Sequence, residues 1–512
     1  MHCRFVVVMC AAVIAAACGT PPDDAAQPQA AATAPAPAAA APSGPAEDLP
    51  QTKSPYDVLP DAVRQRLDDS FTGDGDKMIE RRLIRAGVVF NRTQYFIDRG
   101  EQRGMVYESL RLFEEQLNIR LKTGKLPVHV AFVPLTRDQL FPALTNGKVD
   151  LVAAALTVTP ERGKLVDFSL PTRTGVNEIV VTPAGSPAMT SVDDLSGREV
   201  FVRRSSSYYE SVVALNASLK SRGKAPVRIK EAPEPLEDDD LLEMTNAGLV
   251  SAIVMDDFVA EFWQKVFPNL QLHPQAAVRT DGTIAVATRK NNPILMRAIN
   301  TWIKEYGPRT RFGNIVNTRY LANTSYAKSA TSEAERKKFE TLVNLFRKYG
   351  EQYNVDYLLM AAQGYQESQL DHQARSRVGA IGIMQVMPAT GAELKVGDIR
   401  QLEPNIHAGI KYMRFMVDQY YRDEPMTELD KLLMTLASYN AGPGRVRQLR
   451  REAEKRGLNP NVWFGNVERI ASERIGRETV QYVANIYKYY VAYRLALEQA
   501  EERRQLRKST TQ

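Results

Sequence analysis

The sequence contains few cysteines and few histidines, and their positions exclude two kinds of site. All three cysteines lie within the first 18 residues, so the rest of the chain cannot form an internal disulfide bond. The five histidines show no metal-ligand spacing, and the Asp74-Gly75-Asp76 stretch lacks the remaining ligands of a calcium loop. A serine or cysteine triad pattern is also missing. We therefore expect neither a bound metal nor another cofactor.

The regions expected to fold lack dense Lys/Arg blocks with interleaved aromatic residues, which would be typical of nucleic acid binding. The 512 residues carry 66 basic and 60 acidic side chains, so the formal net charge is a mild +6. This balance suits an anionic polymer but does not by itself identify a partner. Because the chain is too long for one hydrophobic core, we expect two or three domains and no nucleic acid partner.

The chain has one long apolar run near its start, from Phe5 to Ala17 after Arg4, and this run is too short to span a membrane comfortably. The sequence Ala15-Ala16-Ala17-Cys18-Gly19 resembles a bacterial lipoprotein signal, although Ala15 stands where leucine is usual. The resemblance implies a signal peptide at residues 1–17 and acylation of Cys18. It also implies an outer-membrane location facing the periplasm. A plain secretory signal cleaved nearby is the alternative, and both interpretations export the protein.

Composition divides the rest of the chain into a linker and two domains. Residues 18–77 are predicted as a tether, most clearly at 19–55, where alanine, proline and small polar residues cannot bury a core. Short strands alternating with helices predict an α/β domain over residues 78–325. Strand signals largely disappear afterwards, so residues 330–512 are predicted to be mainly helical. The expected helices cover Glu333–Tyr349, Tyr357–Ser368, Ile406–Tyr420, Leu429–Tyr439 and Glu478–Glu498.

The strongest local pattern of the α/β part is Thr157-Val158-Thr159-Pro160-Glu161-Arg162-Gly163-Lys164-Leu165-Val166-Asp167-Phe168-Ser169. It resembles the family 3 periplasmic solute-binding proteins, over roughly residues 80–322. The resemblance implies two α/β lobes that close on an amino acid, a peptide or a muropeptide. It also implies that Arg162 pairs with the ligand carboxylate, which suits the planar guanidinium. The alternative is that Arg162 pairs with Asp167 or Glu161.

The same resemblance implies further ligand contacts. Thr157 would add a hydroxyl, and Ser205 and Ser206 lie in a loop expected at a helix N-terminus, a natural site for an anion. Asp256 follows a strand at the position where the family often binds the ligand's amino group, and Tyr95 would supply an aromatic wall. The alternative for Asp256, which is next to Asp257 in the sequence, is that it caps a helix.

The helical part contains a carboxylate in an unusual setting. Glu367 stands near the end of the apolar run 361–370, and a glycine-containing segment with a polar amide follows at Gly382-Ile383-Met384-Gln385. An acid held against apolar surface can have its pKa raised enough to act as a general acid near neutral pH. Cleavage of a glycosidic bond requires such an acid. We therefore predict that Glu367 is catalytic.

Four sequence elements in this part occur in a consistent order. They are Glu367-Ser368, Gly382-Ile383-Met384-Gln385, Ser438-Tyr439-Asn440-Ala441-Gly442 and Glu478-Thr479-Val480-Gln481-Tyr482-Val483. Together they resemble the family 1 lytic transglycosylases, whose domain has a lysozyme-like fold, over about residues 335–500. Ile383 replaces a common leucine and Ser438 a common alanine, and neither change removes a group that the reaction needs.

The resemblance implies a reaction and a set of residue roles. The substrate is peptidoglycan, cleaved without water between muramic acid and glucosamine units to leave 1,6-anhydromuramyl ends, with Glu367 acting first as acid and then as base. A single carboxylate contrasts with ordinary glycosidases, which use two. Ser368 would contact Glu367 or the sugar, Gln385 and Asn440 the acetamido groups, and Tyr439 a sugar ring. Tyr482 would place a hydroxyl close to the acid.

Simpler roles remain open at these positions, because side-chain amides also brace tight turns and the tyrosines around Tyr482 form a stripe suited to core packing. Two rival functions also remain open. In the first, the helical domain is an inactive sugar-binding unit of a solute- or muropeptide-binding lipoprotein. In the second, it is a true hydrolase that leaves reducing ends. In the main interpretation, the α/β domain is a regulatory or targeting module for a catalytic domain.

Overall fold

The computed structural model describes residues 56, 58–98, 101–308, 310–322, 333–376, 379–475 and 477–510. The predicted signal peptide, Cys18 and the Ala/Pro-rich part of the linker lie outside these residues. Within the described ranges, no helix combines the length and the apolar character needed to cross a bilayer.

The first folded domain alternates strands and helices, as predicted. Its strands are β1 (Leu83–Val88), β2 (Phe96–Asp98), β3 (Glu101–Arg103), β4 (His129–Pro134), β5 (Leu151–Thr157), β6 (Val166–Phe168), β7 (Arg173–Pro183), β8 (Glu199–Arg203), β9 (Arg228–Ala232), β10 (Ile253–Asp256) and β11 (Leu270–Arg289). Its helices are α1 (Asp61–Arg64), α2 (Gly75–Arg81), α3 (Met105–Leu121), α4 (Arg137–Thr145), α5 (Pro160–Leu165), α6 (Ser207–Ser221), α7 (Asp238–Asn246), α8 (Asp257–Gln264), α9 (Pro293–Tyr306) and α10 (Arg311–Asn317).

Seven strands of this domain form one sheet, in the order β10-β7-β11-β5-β1-β4 with β6 beside β11. Strand β1 lies parallel between β4 and β5, whereas β11 runs antiparallel to β5, β6 and β7. The long strands β7 and β11 connect two lobes. The first lobe (residues 58–172 and 284–322) contains β1, β4 and β5. The second lobe (residues 174–282) contains β10 and the parallel pair β8 and β9.

The second folded domain is helical, as predicted. Its helices are α11 (Glu333–Tyr353), α12 (Tyr357–Ser368), α13 (Pro388–Leu394), α14 (Leu402–Tyr420), α15 (Glu428–Ala441), α16 (Pro443–Lys455), α17 (Glu468–Arg474) and α18 (Arg477–Thr510). Helix α12 has the predicted bounds, and α18 continues beyond the predicted end. The sequence analysis missed α13, α16 and α17. Helices α13 and α16 begin at Pro388 and Pro443, and proline at the first helical position is a recognised start signal.

The structure corrects the C-terminal end of the predicted linker. Residues 58–77 are folded, because Leu59, Val63 and Leu67 are buried against Leu83 and Ala131 of the first lobe. This stretch, together with Tyr56, is called the strap below. It was missed because its apolar residues are spaced too irregularly to predict a long element.

The strap also contacts the helical domain. The Asp68 carboxylate accepts hydrogen bonds from Arg456 Nη2 at 2.8 Å and from Arg469 Nη2 at 3.0 Å. Both guanidiniums are largely buried, and Glu473 lies beside them. Because buried cations require a counter-charge, these ion pairs hold the strap between the first lobe and the helical domain.

The second lobe meets the helical domain through another set of buried charges. Lys488 Nζ on α18 lies 3.3 Å from Glu243 Oε2 and 3.5 Å from Asp240 Oδ1, both on α7. Arg92 of the first lobe also pairs with Glu243, at 2.8 Å, and with Asp239, at 3.1 Å. Helix α7 of the second lobe is therefore paired both with the first lobe and with the helical domain.

Candidate functional site

The candidate acid, Glu367, stands in the last turn of helix α12. The helix begins at the Asp356 cap, whose side chain accepts from the backbone N–H groups of Leu358 and Leu359. Residues 358–365 are all buried. The helix ends at Gln369, whose backbone is left-handed with φ of 56°. Glu367 is consequently held half-buried at the end of an apolar rod.

Tyr482 of helix α18 completes the surroundings of the acid. Its hydroxyl donates a hydrogen bond to Glu367 Oε1 at 2.6 Å, and it accepts one from Gln363 Nε2 at 3.2 Å. Gln363 and Glu367 are four residues apart and share one face of α12. The three side chains form a chain of hydrogen bonds that orients the carboxylate.

Burial raises the pKa of Glu367 above its ordinary value, and the hydrogen bond from Tyr482 lowers it. Burial, and then the Glu367 charge, raise the pKa of Tyr482 well above its ordinary value, so the phenol stays protonated and remains a donor. No second acidic side chain among the described residues contributes to the pKa of Glu367. The site therefore has one carboxyl group able to give and to take a proton.

The glycine-containing segment packs directly against this helix end. Gly382 and Gln385 both have left-handed backbones, with φ of 75° and 45°. The buried Asn405 side chain accepts from Met384 N at 2.9 Å and donates to the carbonyls of Ile381 at 2.8 Å and Ile399 at 3.1 Å. A Cβ on Gly382 would lie 2.6 Å from Asn405 Nδ2, so glycine permits this close approach.

Ser368 and Gln385 take local hydrogen bonds in this segment. The Ser368 hydroxyl lies 3.1 Å from the Gly364 carbonyl and 3.0 Å from the Ile383 carbonyl, so the predicted bond to Glu367 is not formed. It is not formed because a serine near a helix end can reach back to the carbonyl four residues earlier. Gln385 Nε2 donates to the Gly382 carbonyl at 2.7 Å. Its side-chain oxygen bonds to none of the described residues.

Tyr439 and Asn440 come from the end of helix α15. The Tyr439 hydroxyl donates to the Met384 carbonyl at 3.0 Å, and its ring meets Tyr412 edge to face at 5.7 Å between centroids. Asn440 is exposed, and its Oδ1 accepts from the Thr479 hydroxyl at 2.6 Å. Its amide nitrogen makes no hydrogen bond with the described part of the chain. These contacts bring all four sequence elements to one place around Glu367.

Arg162 of the first domain lies between the lobes, but its partner is one that the sequence analysis did not consider. Its Nε donates to Glu210 Oε1 at 2.9 Å, and its other nitrogens donate to the carbonyls of Thr157 at 3.2 Å and Ser205 at 3.0 Å. Neither alternative partner contacts it, because Asp167 pairs with Lys290 and Glu161 with Lys164. The Glu210 carboxylate of the second lobe thus pairs with Arg162, the residue predicted to bind the ligand carboxylate.

The hydroxyl-bearing residues near Arg162 also have internal partners. The Ser207 hydroxyl donates to Thr157 Oγ1 at 3.1 Å, which joins the two lobes. Ser205 donates to the Glu234 carboxylate from its amide at 3.0 Å and from its hydroxyl at 2.5 Å. Ser206 is the N-cap of α6 and accepts from Tyr209 N. The predicted helix N-terminus is present, and the hydroxyls of Ser205, Ser206 and Ser207 are hydrogen-bonded to other groups of the protein.

The structure excludes the capping alternative for Asp256 and the predicted position of Tyr95, whereas the ligand contact of Asp256 stays a prediction. Asp256 stands at the N-cap position of α8, but its side chain makes no capping bond, and its buried Oδ1 has no hydrogen-bond partner. Burial, and then Glu178, Asp238 and Asp257, raise its pKa well above the ordinary value. Tyr95 is 2% exposed in the first-lobe core, stacked on Phe132 at 5.5 Å. It therefore does not form an aromatic wall beside Arg162.

Four residues that shape these sites were not assigned roles from the sequence. Gln363 could have been found from its spacing of four from Glu367 on an apolar helix. Thr479 stands inside one of the four sequence elements and Asn405 immediately precedes the helix predicted from Ile406, and neither position carried a further signal. Glu210 has no sequence signal, because its contact with Arg162 depends on how the two lobes meet.

Comparison with known families supports both domains. Residues 344–461 match the Transglycosylase SLT domain, and residues 88–318 match the bacterial extracellular solute-binding proteins, family 3. The two resemblances inferred from motifs are therefore confirmed. The fold prediction, a two-lobed α/β domain followed by a mainly helical domain, is confirmed as well.

Curated relatives combine both parts over most of the chain. Membrane-bound lytic murein transglycosylase F of Shewanella baltica is 26% identical over 439 residues, covering 82% of this chain and 87% of the relative. The protein of the same name from Pseudomonas fluorescens is 28% identical over 420 residues, covering 77% of this chain and 81% of the relative. Among solved structures, an ancestral arginine-binding protein bound to arginine is 25% identical and covers 47% of this chain and 98% of its own, with a TM-score of 0.38.

The hydrogen bond between Tyr482 and Glu367 gives a direct test of the site's electrostatics. Tyr482→Phe removes a donor that stabilises the carboxylate, so the pKa of Glu367 is expected to rise. Carbon-13 NMR of glutamate-labelled protein, titrated with pH, measures this pKa, and Glu367→Gln identifies the resonance. Tyr487→Phe on the same helix is the control and should leave it unchanged. An unchanged or lower pKa in Tyr482→Phe would contradict the geometry.

Proposed function

We propose that this chain, which combines a transglycosylase SLT domain with a family 3 solute-binding domain, cleaves peptidoglycan without consuming water and leaves 1,6-anhydromuramyl ends. The SLT domain and the curated relatives support a peptidoglycan lytic transglycosylase. One observation carries the finer statement: a single half-buried carboxyl, Glu367, has a raised pKa and a hydrogen-bonded phenol beside it. The bond cleaved is the β-1,4 link between N-acetylmuramic acid and N-acetylglucosamine.

The two proton transfers follow from the properties of Glu367. With its pKa raised by burial, the protonated acid gives its proton to the glycosidic oxygen as that bond breaks. The carboxylate left behind is stabilised by the Tyr482 hydroxyl. It then accepts the proton of the muramic acid 6-hydroxyl as that oxygen closes onto the anomeric carbon. The internal hydroxyl is favoured over water because it is already held next to the reacting carbon.

We assign the acetamido contacts to Gln385 and Asn440. The side-chain nitrogen of Gln385 donates to the Gly382 carbonyl, and its side-chain oxygen stays available to a ligand. The side-chain oxygen of Asn440 accepts from Thr479, and its side-chain nitrogen stays available. An acetamido group offers one N–H and one carbonyl, so it needs one acceptor and one donor. The two side chains present this pair. Tyr439 then offers its ring to a sugar, and Ser368 serves to hold the helix end against the segment 382–386.

The first testable outcome is the nature of the product ends. Wild-type protein should release anhydro-ended fragments from purified peptidoglycan, and Glu367→Gln should lower the rate by about 1000-fold or more because the only acid is lost. Mass spectrometry of the digest measures both. Glu351→Gln, an exposed change on α11, is the matched control and should keep wild-type activity. Reducing ends would support the hydrolase instead, and a wild-type protein without products would support the inactive sugar-binding domain.

The solute-binding domain is proposed to bind a peptide or muropeptide fragment and to adjust the catalytic domain. Arg162 offers the carboxylate site, at which Glu210 now stands, so a ligand carboxylate must displace Glu210. The lobes are also joined by Arg137, which pairs with Glu237 at 2.9 Å. Opening or closing of the lobes would move helix α7, and Lys488 connects α7 to the helix that carries Tyr482.

Titration calorimetry of the full-length protein with peptidoglycan stem peptides tests this proposal. Binding is expected in wild type and should weaken by about tenfold or more in Arg162→Gln, because a bidentate charged donor is removed. Arg204→Gln, which changes an exposed arginine paired with Glu231, is the matched control. Absence of binding by wild type, or equal binding by Arg162→Gln, would remove the basis for regulation at this cleft.

We further propose that the protein is an outer-membrane lipoprotein facing the periplasm, anchored through Cys18, with the solute-binding domain at 78–325 preceded by the strap and the catalytic domain at 330–512. The support is the sequence Ala15-Ala16-Ala17-Cys18. Mass spectrometry of the mature N-terminus should show a diacylglyceryl group on a cysteine at position 18. Cys18→Ser should release the protein into the soluble fraction, whereas Cys10→Ser should not. An unmodified N-terminus would instead support a plain secretory signal.

A further inference from the structure

A second cavity in the first domain lies apart from both sites described above. It measures about 140 Å³ and is partly open to solvent. Its walls come from helices α3, α9 and α10, from residues 153–155 of β5 and from Phe258 of the second lobe. The lining includes neither Arg162 nor Thr157 nor Asp256. Most of the lining side chains are apolar, which is the usual character of a small-molecule site.

Trp302 contributes a hydrogen-bond donor that the described residues do not use. It is 7% exposed, its ring meets Phe113 edge to face at 6.0 Å, and its Nε1 has no hydrogen-bond partner. Buried N–H groups are almost always bonded to an acceptor. Two other polar groups of the cavity have partners, since the Thr172 hydroxyl donates to the Ile284 carbonyl and the Tyr306 hydroxyl to Gln116.

Arg173 contributes a positive charge on which Asp257, Asp256 and Glu261 act only from beyond ion-pair distance. Its guanidinium carbon lies 4.2 Å from the Phe258 ring centroid, and it forms neither an ion pair nor a side-chain hydrogen bond with the described residues. The nearby Asp257 carboxylate is occupied by Asn177 and by the Phe258 amide. Because stacking on a ring uses the face of a guanidinium, the N–H groups at its edge stay available to a planar anion.

A strained backbone position forms part of the same wall. Ala155 has φ of 50°, in the left-handed region that a residue with a Cβ seldom adopts. Such strain is concentrated at functional sites. Ala155 also borders the smaller cavity around Arg162. The two cavities are thus neighbours on strand β5 with different chemistry.

We infer that this cavity binds a small carboxylate with an apolar body, an aryl or branched alkyl acid, whose apolar part fills the cavity while its carboxylate meets Arg173 and an acceptor atom meets Trp302 Nε1. Such a ligand offers an ion-pair partner to Arg173, a hydrogen-bond acceptor to Trp302 and apolar surface to the apolar lining. It contacts both lobes, since Phe258 belongs to the second. This site is independent of the proposed function, because it uses none of the residues assigned there.

The test uses the full-length protein and two probes of the same shape, 3-phenylpropionate and its neutral amide 3-phenylpropanamide, in titration calorimetry. The acid is expected to bind about tenfold or more tightly than the amide, because the pairing with Arg173 requires a charge. Equal binding of the two, or no binding of either at millimolar concentration, would overturn the inference.

Variants locate the binding and separate it from the cleft around Arg162. Arg173→Gln should remove the preference for the acid over the amide, and Trp302→Phe, which keeps an aromatic ring but lacks the N–H, should weaken the acid about threefold or more. Arg228→Gln, an exposed change, and Arg162→Gln should both leave binding unchanged. Loss of binding in Arg162→Gln would place the probe in the other cleft and overturn the assignment.

An NMR measurement on the unmodified chain gives an independent check. The indole N–H resonance of Trp302, identified by its loss in Trp302→Phe, should move downfield when 3-phenylpropionate is added, because the N–H gains an acceptor. The indole signals of Trp263 and Trp463 serve as internal controls. A Trp302 resonance that does not move at saturating acid would overturn the assigned contact.

Discussion

The hydrogen bond between Tyr482 and Glu367 joins helix α18 to helix α12, and the arrangement of the catalytic domain depends on it. Tyr482, which orients the acid, stands on the longest helix among the described residues. Lys488 follows on α18 six residues after Tyr482, about 9 Å along the helix axis, where it meets Glu243 of the second lobe. A short rigid segment thus connects the acid to the ion pairs of the solute-binding domain.

Electrostatics differ between the two sites in a way that matches their chemistry. Glu367 is half-buried and no cation among the described residues contributes to its pKa, so the pKa rises above its ordinary value, which favours the protonated acid. Arg162 is held out of water together with Glu210, so its charge is retained and neutralised. The first environment suits proton transfer and the second suits exchange of one carboxylate for another. Arg173 represents a third case, because its guanidinium stacks on the Phe258 ring and Asp257, Asp256 and Glu261 act on its charge without forming an ion pair.

Local features were predictable where a short stretch of chain determines them. The bounds of helix α12 follow from the Asp356 cap, from eight consecutive buried residues and from the left-handed Gln369, all within one stretch. The four catalytic motifs were likewise visible in the sequence. Ser368 shows the limit of such reasoning, because of its two predicted contacts, with Glu367 or with the sugar, the first is not formed and the hydroxyl bonds to backbone carbonyls. Tyr95 and the strap fail for the same reason, since both are defined by packing against distant residues.

The sequence by itself determined the two domain types and the position of the candidate acid, since motif order and local periodicity depend on neighbouring residues. Only the tertiary structure decided which groups face that acid, that Glu210 stands at Arg162, and that Trp302 and Arg173 share one cavity. These pairs are separated by tens to more than a hundred residues. Their contacts exist only because the sheet, the lobes and helix α18 bring distant segments together. Short-range sequence patterns do not contain this information.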